Sequence, residues 1–290
     1  AGLAGIAAPA TFRGVRLCRP LLEETRAATE ATCRAFGQAW LDDPSNQDSR
    51  FQRVRDRRLL AGDDWPTADH LVRVGRAMAA ARREVDHQVR QFLARHGVWH
   101  DGGWLTMARA AWVDLPETLA LSVLSQAIQA VGGGDYPPAG TGLARVADMI
   151  AGTDRTLTLG GCRIICRGAG VVICREWHLM TRLIDPSAGR WHRWDNRFEL
   201  WVPPGLGQVG CAPLGEDGWR ALSAAPGSAL RVALAPVPWP ARLAFPVLRH
   251  LDDGRLVHQV RRAWERPGFD PHMAALVFAP NGSILDARRH

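Results

Sequence analysis

The sequence predicts an α+β fold, with helices in the first half of the chain and short strands in the C-terminal part. Between Leu71 and Phe92, apolar residues recur at spacings of three and four, which is typical of a helix with one buried face. After residue 153, short apolar runs lie between Gly, Pro and Asp turns, which is typical of strands. The chain has 290 residues, 47% of them apolar, which is enough for one large domain or for two to three smaller ones.

Turn-forming residues divide the beginning of the chain into short elements. Pro20 predicts a break, and the acidic pair Glu23 and Glu24 favours the N-terminal end of the helix that follows it. The sequence LDDPSNQDS is so rich in turn formers that no regular element is expected there. The predicted elements are an extended stretch over residues 11–17, a helix over 21–40, a stop over 41–49 and an arginine-dense helix over 50–60.

Three further helices and a linker are predicted before the strand-rich part. Thr67 is a favourable N-cap for a long helix, and Pro116 suits the first turn of the next one. GGGDYPPAG is rich in glycine and proline and therefore predicts a linker. The predicted helices cover residues 67–96, 116–131 and 142–151, and the linker covers residues 132–140.

Residues 153–290 are predicted to form a mainly β, α+β module. The runs TLTLGGCRIICR, VVICREWHLM and RFELWV alternate or group their apolar residues as strands do. The stretch Arg167-Gly168-Ala169-Gly170 joins two of these runs and predicts the turn of a hairpin. Tryptophans in such strands are more often core residues than platforms for nucleic-acid bases, so most of those in this module are expected to be buried.

The charge of the chain favours a polyanionic partner. The net charge is +7, and residues 151–290 carry 18 arginines against 12 acidic residues, so the surplus lies at the C-terminal end. All 36 basic residues are arginine. This composition is typical of a G+C-rich genome, although the planar guanidinium also suits phosphates and base edges.

Several classes of protein and site are not expected. Six cysteines in so long a chain do not form a disulfide framework, and the sequence has no CxxC pair of the kind that binds zinc, so no metal site is predicted. No apolar run approaches the roughly 20 residues of a membrane span, and no signal-peptide pattern is present. The prediction is a cytoplasmic protein with no membrane partner.

The most distinctive local pattern is DDPSNQDSRFQRVRDRRLL at residues 42–60. Asp43 and Asn46 are turn formers whose side chains bond to nearby backbone N–H groups. Arg53 and Arg57 are four residues apart on a predicted helix and therefore share one face. Such a row of guanidinium groups suits phosphates or base edges. The alternative is an exposed helix whose arginines form salt bridges with its own acidic residues.

This stretch resembles the signature of the tRNA(Ile)-lysidine synthetase family, which has an acidic residue, DPSN, an aromatic residue, RNxxR and an apolar pair. AGLAGI at residues 1–6 is similar to the family's SGLxGM, and RPLL at 19–22 to its following RPLL. TLTLGGC at 156–162 and WDNRF at 194–198 resemble the C-terminal module of α-proteobacterial members. With these motifs the resemblance spans nearly the whole chain.

Four positions depart from the family's pattern. Ala1 replaces the usual Ser, and Ile6 the usual Met. Val54 stands where Asn is usual, and Asp56 where an apolar residue is usual. The last two changes bear on how the arginine helix docks.

The resemblance implies a two-step ligation on the wobble cytidine of an isoleucine tRNA with the anticodon CAU. ATP, with Mg²⁺ neutralising its phosphates, adenylates the cytosine C2 oxygen, and the ε-amine of free lysine then displaces AMP to form lysidine. The family's ATP-binding turn, SGGxDS, is not found in this sequence. The two glycine runs, Gly132-Gly133-Gly134 and Gly160-Gly161, lack that pattern and predict a linker and a hairpin turn instead. We therefore expect a ligase portion with no catalytic residues and no bound cofactor, which binds tRNA without forming the adenylate.

The resemblance also implies how the chain is divided. The α+β fold would combine a remnant of an α/β ATP-pyrophosphatase domain with a helical middle domain and a β-rich C-terminal module. Relatives suggest that a homodimer is possible. The implied parts are 1–46, the end of the nucleotide-binding catalytic domain; 47–131, the helical domain; 132–152, a linker and helix; and 153–290, a β-rich tRNA-binding module.

The resemblance implies tRNA-contacting residues in the predicted helix over 50–60 and residues of an active-site wall, and the excess of arginine beside tryptophan in the β-rich module indicates a second set of tRNA contacts. Arg53, Arg57 and Arg55 are expected to contact the anticodon arm, while Arg193 and Arg197, beside Trp191 and Trp194, are expected to contact the acceptor stem. The residues expected on one wall of the active site are Gly2, Leu3, Gly5, Asp43 and Asn46.

Two other hypotheses belong to different classes of protein. One is a non-catalytic protein that lacks the ATP-binding domain and only binds tRNA. The other is a different tRNA-modifying enzyme of the ATP-pyrophosphatase superfamily, such as a thiolation enzyme. Thiolation enzymes usually have paired cysteines near the nucleotide site, and the lack of CxxC disfavours that hypothesis.

Overall fold

The chain separates into two compact units in the computed structural model. The N-terminal unit comprises residues 1–10 and 15–85, and the C-terminal unit comprises residues 11–14 and 86–290. The domain boundaries expected after residues 46, 131 and 152 remain predictions. The residues that the structure describes are 4–6, 10–12, 15–41, 43–60, 67–225, 227–257, 260–263 and 274–279.

The first helix is shorter than the sequence predicts. It covers Arg26–Ala35 instead of residues 21–40, because Thr25 caps it by accepting a hydrogen bond from the backbone N–H of Ala28 at 3.1 Å. Gly37, with φ of 63°, follows the C-terminal end in the left-handed conformation that glycine tolerates. The elements up to this point are β1 (Ala10–Phe12), β2 (Val15–Leu17) and α1 (Arg26–Ala35).

The turn-rich stop and the two helices after it agree with the prediction. Pro44–Gln47 form one 3-10 turn, and Thr67 caps the long helix by accepting a hydrogen bond from His70 N at 3.3 Å. That helix ends where the predicted exit lies, before Gly97. The two helices are α2 (Gln52–Leu60) and α3 (Ala68–His96).

The C-terminal unit is built around a five-stranded antiparallel sheet. Its strand order is β3-β4-β7-β6-β5, and the predicted hairpin turn joins β6 to β7. Its strands are β3 (Gly97–His100), β4 (Trp104–Ala108), β5 (Thr156–Leu159), β6 (Cys162–Arg167) and β7 (Gly170–Arg175), and the helices α4 (Glu117–Gly132) and α5 (Gly140–Gly152) lie between β4 and β5 in the chain.

Residues 97–108 form a β-hairpin that the sequence analysis did not predict. Leu105 is fully buried and lies opposite Trp99 in β3 and opposite Ile173 in β7. The partner strand β7 is far away in sequence, so the local pattern around residue 100 carries no sign of this pairing. The hairpin adds two strands to a sheet that was expected to begin only after residue 153.

One face of the five-stranded sheet packs against α4 and α5. Cys162, Ile164 and Cys166 alternate along β6 and are buried in the same core as Leu124 and Ile128 of α4. Burial of apolar surface of this kind contributes roughly 25 cal/mol per Å², so this contact is a main source of stability for the unit. The intervening residues of β6 lie on the opposite face of the sheet.

Two smaller sheets, three short α-helices and the 3-10 turns Arg109–Trp112 and Trp177–Leu179 complete the described part of the C-terminal unit. The three-stranded sheet has the order β12-β11-β8, and the four-stranded sheet has the order β13-β14-β10-β9, with β13 and β14 parallel. No helix in the described ranges is both long and apolar enough to cross a bilayer. The elements are β8 (Leu183–Ile184), β9 (Trp191–Trp194), β10 (Phe198–Trp201), β11 (Val209–Pro213), α6 (Gly215–Ala224), α7 (Ala229–Leu234), α8 (Trp239–Leu243), β12 (Pro246–His250), β13 (Val260–Ala263) and β14 (Ala274–Phe278).

Candidate nucleic-acid interface

The DPSN bend is held by hydrogen bonds within the motif. The carboxylate of Asp43 accepts from Ser45 N at 2.8 Å, and Asn46 N donates to the Asp43 carbonyl at 2.9 Å. The pKa of Asp43 lies below its usual range, chiefly because the carboxylate accepts hydrogen bonds from Ser45, with a smaller contribution from the positive charge of Arg53. The bend is therefore rigid, and its carboxylate stays ionised at neutral pH.

Three arginines next to the bend are engaged in local structure. Arg55 donates to the carbonyls of Ser49 at 2.8 Å and Arg50 at 2.9 Å, and Arg58 donates to the carbonyl of Gln47 at 3.0 Å. Arg50 also forms an ion pair with the neighbouring carboxylate of the bend at 2.6 Å. These guanidinium groups connect the bend to the beginning of α2. Because the Arg55 guanidinium is used in this way, Arg55 is less available for RNA than Arg53 and Arg57, which were predicted with it for the anticodon arm.

Arg53 and Arg57 remain exposed on one face of α2. The guanidinium carbon of Arg53 lies 5.2 Å from the ring centre of Phe51, and neither arginine forms an ion pair or hydrogen bond with another residue in the described part of the chain. Val54, which replaces the family's usual Asn, is only 4% exposed. Val54 therefore lies on the buried side of α2, away from the exposed positions of Arg53 and Arg57.

The residues predicted for an active-site wall are only partly described. Gly5 is exposed, has φ of 67° and has open space where a side chain would begin. Asp43 and Asn46 lie in the rigid bend, while Gly2 and Leu3 are outside the described residues. The common wall stays a prediction.

Arg197, which was predicted to contact the acceptor stem, is fully buried and cannot reach RNA. Its Nη2 lies 2.7 Å from the carboxylate of Asp195, and that carboxylate is also 3.4 Å from Nη2 of Arg175. Burial lowers the pKa of Arg197, whereas Asp195 opposes the shift. The sequence could not show this burial, because an Arg–Trp-rich pattern looks the same in a hairpin that faces solvent and in one that faces a core.

The Arg175–Asp195–Arg197 network connects separate parts of the C-terminal unit. Nη1 of Arg197 donates to the carbonyl of Gly103 at 3.1 Å, and Nη1 of Arg175 donates to the carbonyl of Gly161 at 3.0 Å. Asp195 itself sits in the turn between β9 and β10 with φ of 48°. The WDNRF motif therefore acts as a structural clamp between the five-stranded sheet and the β9–β10 hairpin.

The other residues of the predicted acceptor-stem site differ in exposure. Trp194 is 2% exposed and donates from its indole nitrogen to the Thr181 carbonyl at 2.9 Å, so it is a core residue. Trp191 is half-buried, with its ring centre 5.9 Å from that of Trp201. Arg193 is also half-buried and donates to the carbonyl of Asn196 at 2.6 Å, and burial lowers its pKa while Glu199 opposes the shift. A role for Arg193 in binding RNA stays a prediction.

Comparison with known proteins gives one consistent result. The PP-loop domain family model matches residues 1–62. The chain is 37% identical over 209 residues to the tRNA(Ile)-lysidine synthase of Ruegeria pomeroyi, which covers 70% of this chain and 48% of that protein. It is 36% identical over 178 residues to the tRNA(Ile)-lysidine synthase of Methylobacterium nodulans (60% of this chain, 51% of that protein), and 30% identical over 245 residues to that of Caulobacter vibrioides (83% and 51%).

The chain belongs to the tRNA(Ile)-lysidine synthase family. The resemblance found in the sequence motifs is thereby confirmed. The chain spans about half the length of the curated relatives it matches. The PP-loop match continues through the DPSN bend and α2, so the exposed arginines lie inside the matched segment.

The family implies ATP and Mg²⁺, and among the described residues the two glycine runs lack the setting of a phosphate-binding turn. Gly133, with φ of 68°, caps the C-terminal end of α4, and Gly160-Gly161 form the turn between β5 and β6, so neither glycine run begins a helix. In the described ranges, no three His, Cys, Asp or Glu side chains are close enough to hold a metal ion. No catalytic step is assigned to these residues.

The cysteines of the C-terminal unit are buried free thiols. Burial raises the pKa of Cys174 to about 12 and also raises the pKa values of Cys162 and Cys166. Cys18 is exposed and Cys33 is half-buried. Cys162, Cys166 and Cys174 of the β6–β7 hairpin are therefore core residues.

We expect only the two cysteines of the N-terminal unit to react with a thiol reagent such as DTNB at pH 8 in the native protein. All six should react in denaturant, because only thiolates are nucleophilic and burial both blocks access and disfavours ionisation. The measurement is the absorbance of released thionitrobenzoate. A Cys18→Ser variant should lose one rapidly reacting equivalent, whereas rapid reaction of a third thiol in the native protein would contradict this assignment.

Proposed function

We propose that this chain is the RNA-binding portion of an ATP-dependent ligase that joins lysine to the wobble cytidine of an isoleucine tRNA with the anticodon CAU. The observation that carries the proposal is the exposed pair Arg53 and Arg57, which follows a rigid DPSN bend inside the segment matched by the PP-loop domain family. The similarity to proteins named tRNA(Ile)-lysidine synthase supports it.

In the complete protein, the reaction would form a carbon–nitrogen bond between the lysine ε-amine and C2 of the cytosine, with AMP as the leaving group. ATP, Mg²⁺ and free lysine are therefore the proposed small-molecule partners, and the cytoplasm is the proposed location. The described residues of this chain would contribute binding energy for the tRNA, which positions the base for reaction elsewhere in the protein. A homodimer stays open as a further proposal.

The geometry of α2 suits this role. Arg53 and Arg57 project from one helical face, and the neighbouring guanidinium groups of Arg55 and Arg58 stiffen the segment by bonding to backbone carbonyls. The helix backbone fixes the spacing of the two residues, and exposed guanidinium groups form bidentate contacts with phosphates. Arg53 and Arg57 are therefore the proposed contacts to the anticodon arm.

The test is binding of the 290-residue chain to the minor isoleucine tRNA and to unrelated tRNAs, with the salt concentration varied. We expect Arg53→Gln and Arg57→Gln each to weaken binding severalfold and to lower the slope of log K against log salt by about 1, because each removes one phosphate contact. The preference for the isoleucine tRNA should fall if these residues also read bases.

The matched control is Arg83→Gln on α3, which removes the same charge from another exposed position of the N-terminal unit. This variant should bind nearly as the unchanged chain does. If all three variants weaken binding equally, the effect reflects the net charge of the chain and not a specific contact. If neither Arg53→Gln nor Arg57→Gln changes the slope of log K against log salt, the two arginines face solvent and do not contact phosphates. Either result contradicts the proposal.

A further inference from the structure

A groove of about 500 Å³ opens on the face of the five-stranded sheet that is turned away from α4 and α5. Ile165 and Val172, which are paired across β6 and β7, form its apolar floor. Pro238 and Trp239, at the beginning of α8, form one wall. The groove lies wholly within the C-terminal unit and does not include the WDNRF clamp or α2.

Two arginines lie along this floor. Arg163 and Arg167 alternate with Ile165 on the same side of β6, so their Cα atoms are roughly 13 Å apart along the strand. Both are exposed, and within the described part of the chain neither guanidinium forms an ion pair or a hydrogen bond. Asp154, which precedes β5, is already bonded to Arg109 at 3.0 Å and accepts from Gly168 N in the β6–β7 turn at 2.8 Å. The groove therefore carries two positive charges that protein groups do not neutralise.

Trp239 gives the groove a flat aromatic wall that remains open. The Trp239 ring packs edge-on against the Trp219 ring, with ring centres 6.3 Å apart and ring planes at 90° to each other. The guanidinium carbon of Arg242 lies 4.2 Å from the Trp219 ring centre and 5.5 Å from the Trp239 ring centre, and Arg242 also donates to the carbonyls of Ala235 at 2.7 Å and Val237 at 2.9 Å. Despite these contacts Trp239 is 45% exposed, so a rigidly held indole still presents surface to the groove.

We propose that this groove binds an unpaired RNA strand, with one base stacked on Trp239 and two phosphates of the same strand bonded to Arg163 and Arg167. An unpaired base has a flat apolar surface that can stack on the indole and contact the apolar floor. The phosphates of the RNA backbone can pair with the two arginines, which form no ion pair within the described part of the chain. A duplex hides its base faces by stacking, and an acidic peptide supplies charge without a flat surface. The site is separate from α2, so its failure would leave the proposed role of Arg53 and Arg57 intact.

The experiment measures fluorescence anisotropy of a short fluorescein-labelled RNA without base pairing, added to the full 290-residue chain. We expect Trp239→Ala to weaken binding about tenfold, because one stacked base is lost. Trp239→Phe should retain most of the affinity, since it keeps an aromatic face. Arg163→Gln and Arg167→Gln should each lower the salt slope by about 0.7, the value for one phosphate of a single strand.

The control variant is Arg145→Gln on α5, which removes the same charge from the helix layer on the other side of the sheet. Binding of a duplex RNA should not respond to Trp239→Ala. If AMP displaces the labelled RNA, the ligand of the groove is a free nucleotide, which has the same base and phosphate groups. If only longer unpaired RNA displaces it, the ligand is an RNA strand. Equal losses in Arg145→Gln and the groove variants, or equally strong displacement by polyglutamate, would overturn the proposal.

Discussion

Replacement of Asp195 by asparagine is expected to lower the free energy of unfolding of the C-terminal unit by about 3 kcal/mol, because it leaves two guanidinium groups without their counter-ion. Arg197 is fully buried and Arg175 is 12% exposed in its side chain, so water cannot replace the lost carboxylate. Asparagine keeps the shape of the residue and tolerates the φ of 48° found at this position, so the charge is the main property changed.

The measurement is urea denaturation of the full chain, followed by tryptophan fluorescence. Asp217→Asn removes an acid from the exposed pair with Arg220, whose side chains are 94% and 76% exposed, and should cause no measurable change. The double variant Asp195→Asn with Arg197→Met should be more stable than Asp195→Asn alone, because it removes the stranded charge as well. If Asp195→Asn has no more effect than Asp217→Asn, the network does not stabilise the fold.

Replacement of Gly133 by alanine is expected to destabilise the C-terminal unit by about 3 kcal/mol, through the combined cost of a left-handed backbone and of overpacking. Gly133 caps α4 with φ of 68°, and an added Cβ would lie 2.6 Å from the carbonyl oxygen of Asp195 and 3.0 Å from Cγ of Arg197. The first of these atoms is backbone in the clamp turn, so it cannot move away without disturbing the ion network.

Gly168→Ala separates the two costs. Gly168 has φ of 54° in the β6–β7 turn, but open space surrounds the position where its Cβ would lie. This variant should therefore show only the backbone cost of about 1–2 kcal/mol. Denaturation midpoints for both variants give the comparison, and equal losses would mean that the contact between the α4 cap and the clamp turn contributes nothing.

The two glycine variants also show where sequence reasoning stops. GGGDYPPAG was predicted to be a linker, and α5 does begin at residue 140 after it. Gly132 and Gly133 are nevertheless buried, because the carbonyls of Gly160 and Asp195 approach them closely. Glycine is needed at this position for tertiary contact as well as for turning, and a single sequence cannot distinguish the two reasons.

The arginines also show that a single sequence does not reveal which charged residues are buried. The spacing of Arg53 and Arg57 predicts that they share one face of a short polar helix, and both are exposed on that face. Arg193 and Arg197 were assigned to a surface from composition, and Arg197 is buried. The groove lined by Arg163 and Trp239 has no signal in the sequence, since these two residues of its floor and its wall are 76 positions apart and meet only when α8 lies over the sheet.

The amino-acid sequence alone determined the family, the helices that begin after Thr67 and Pro116, the DPSN bend and the β6–β7 hairpin, because each depends on residues within a few positions of one another. Only the tertiary structure decided that residues 97–108 join the five-stranded sheet, that the WDNRF motif is an internal clamp and that a basic groove lies beside α8. Those outcomes depend on strand partners and burial, which bring distant residues together and have no local signal in the chain.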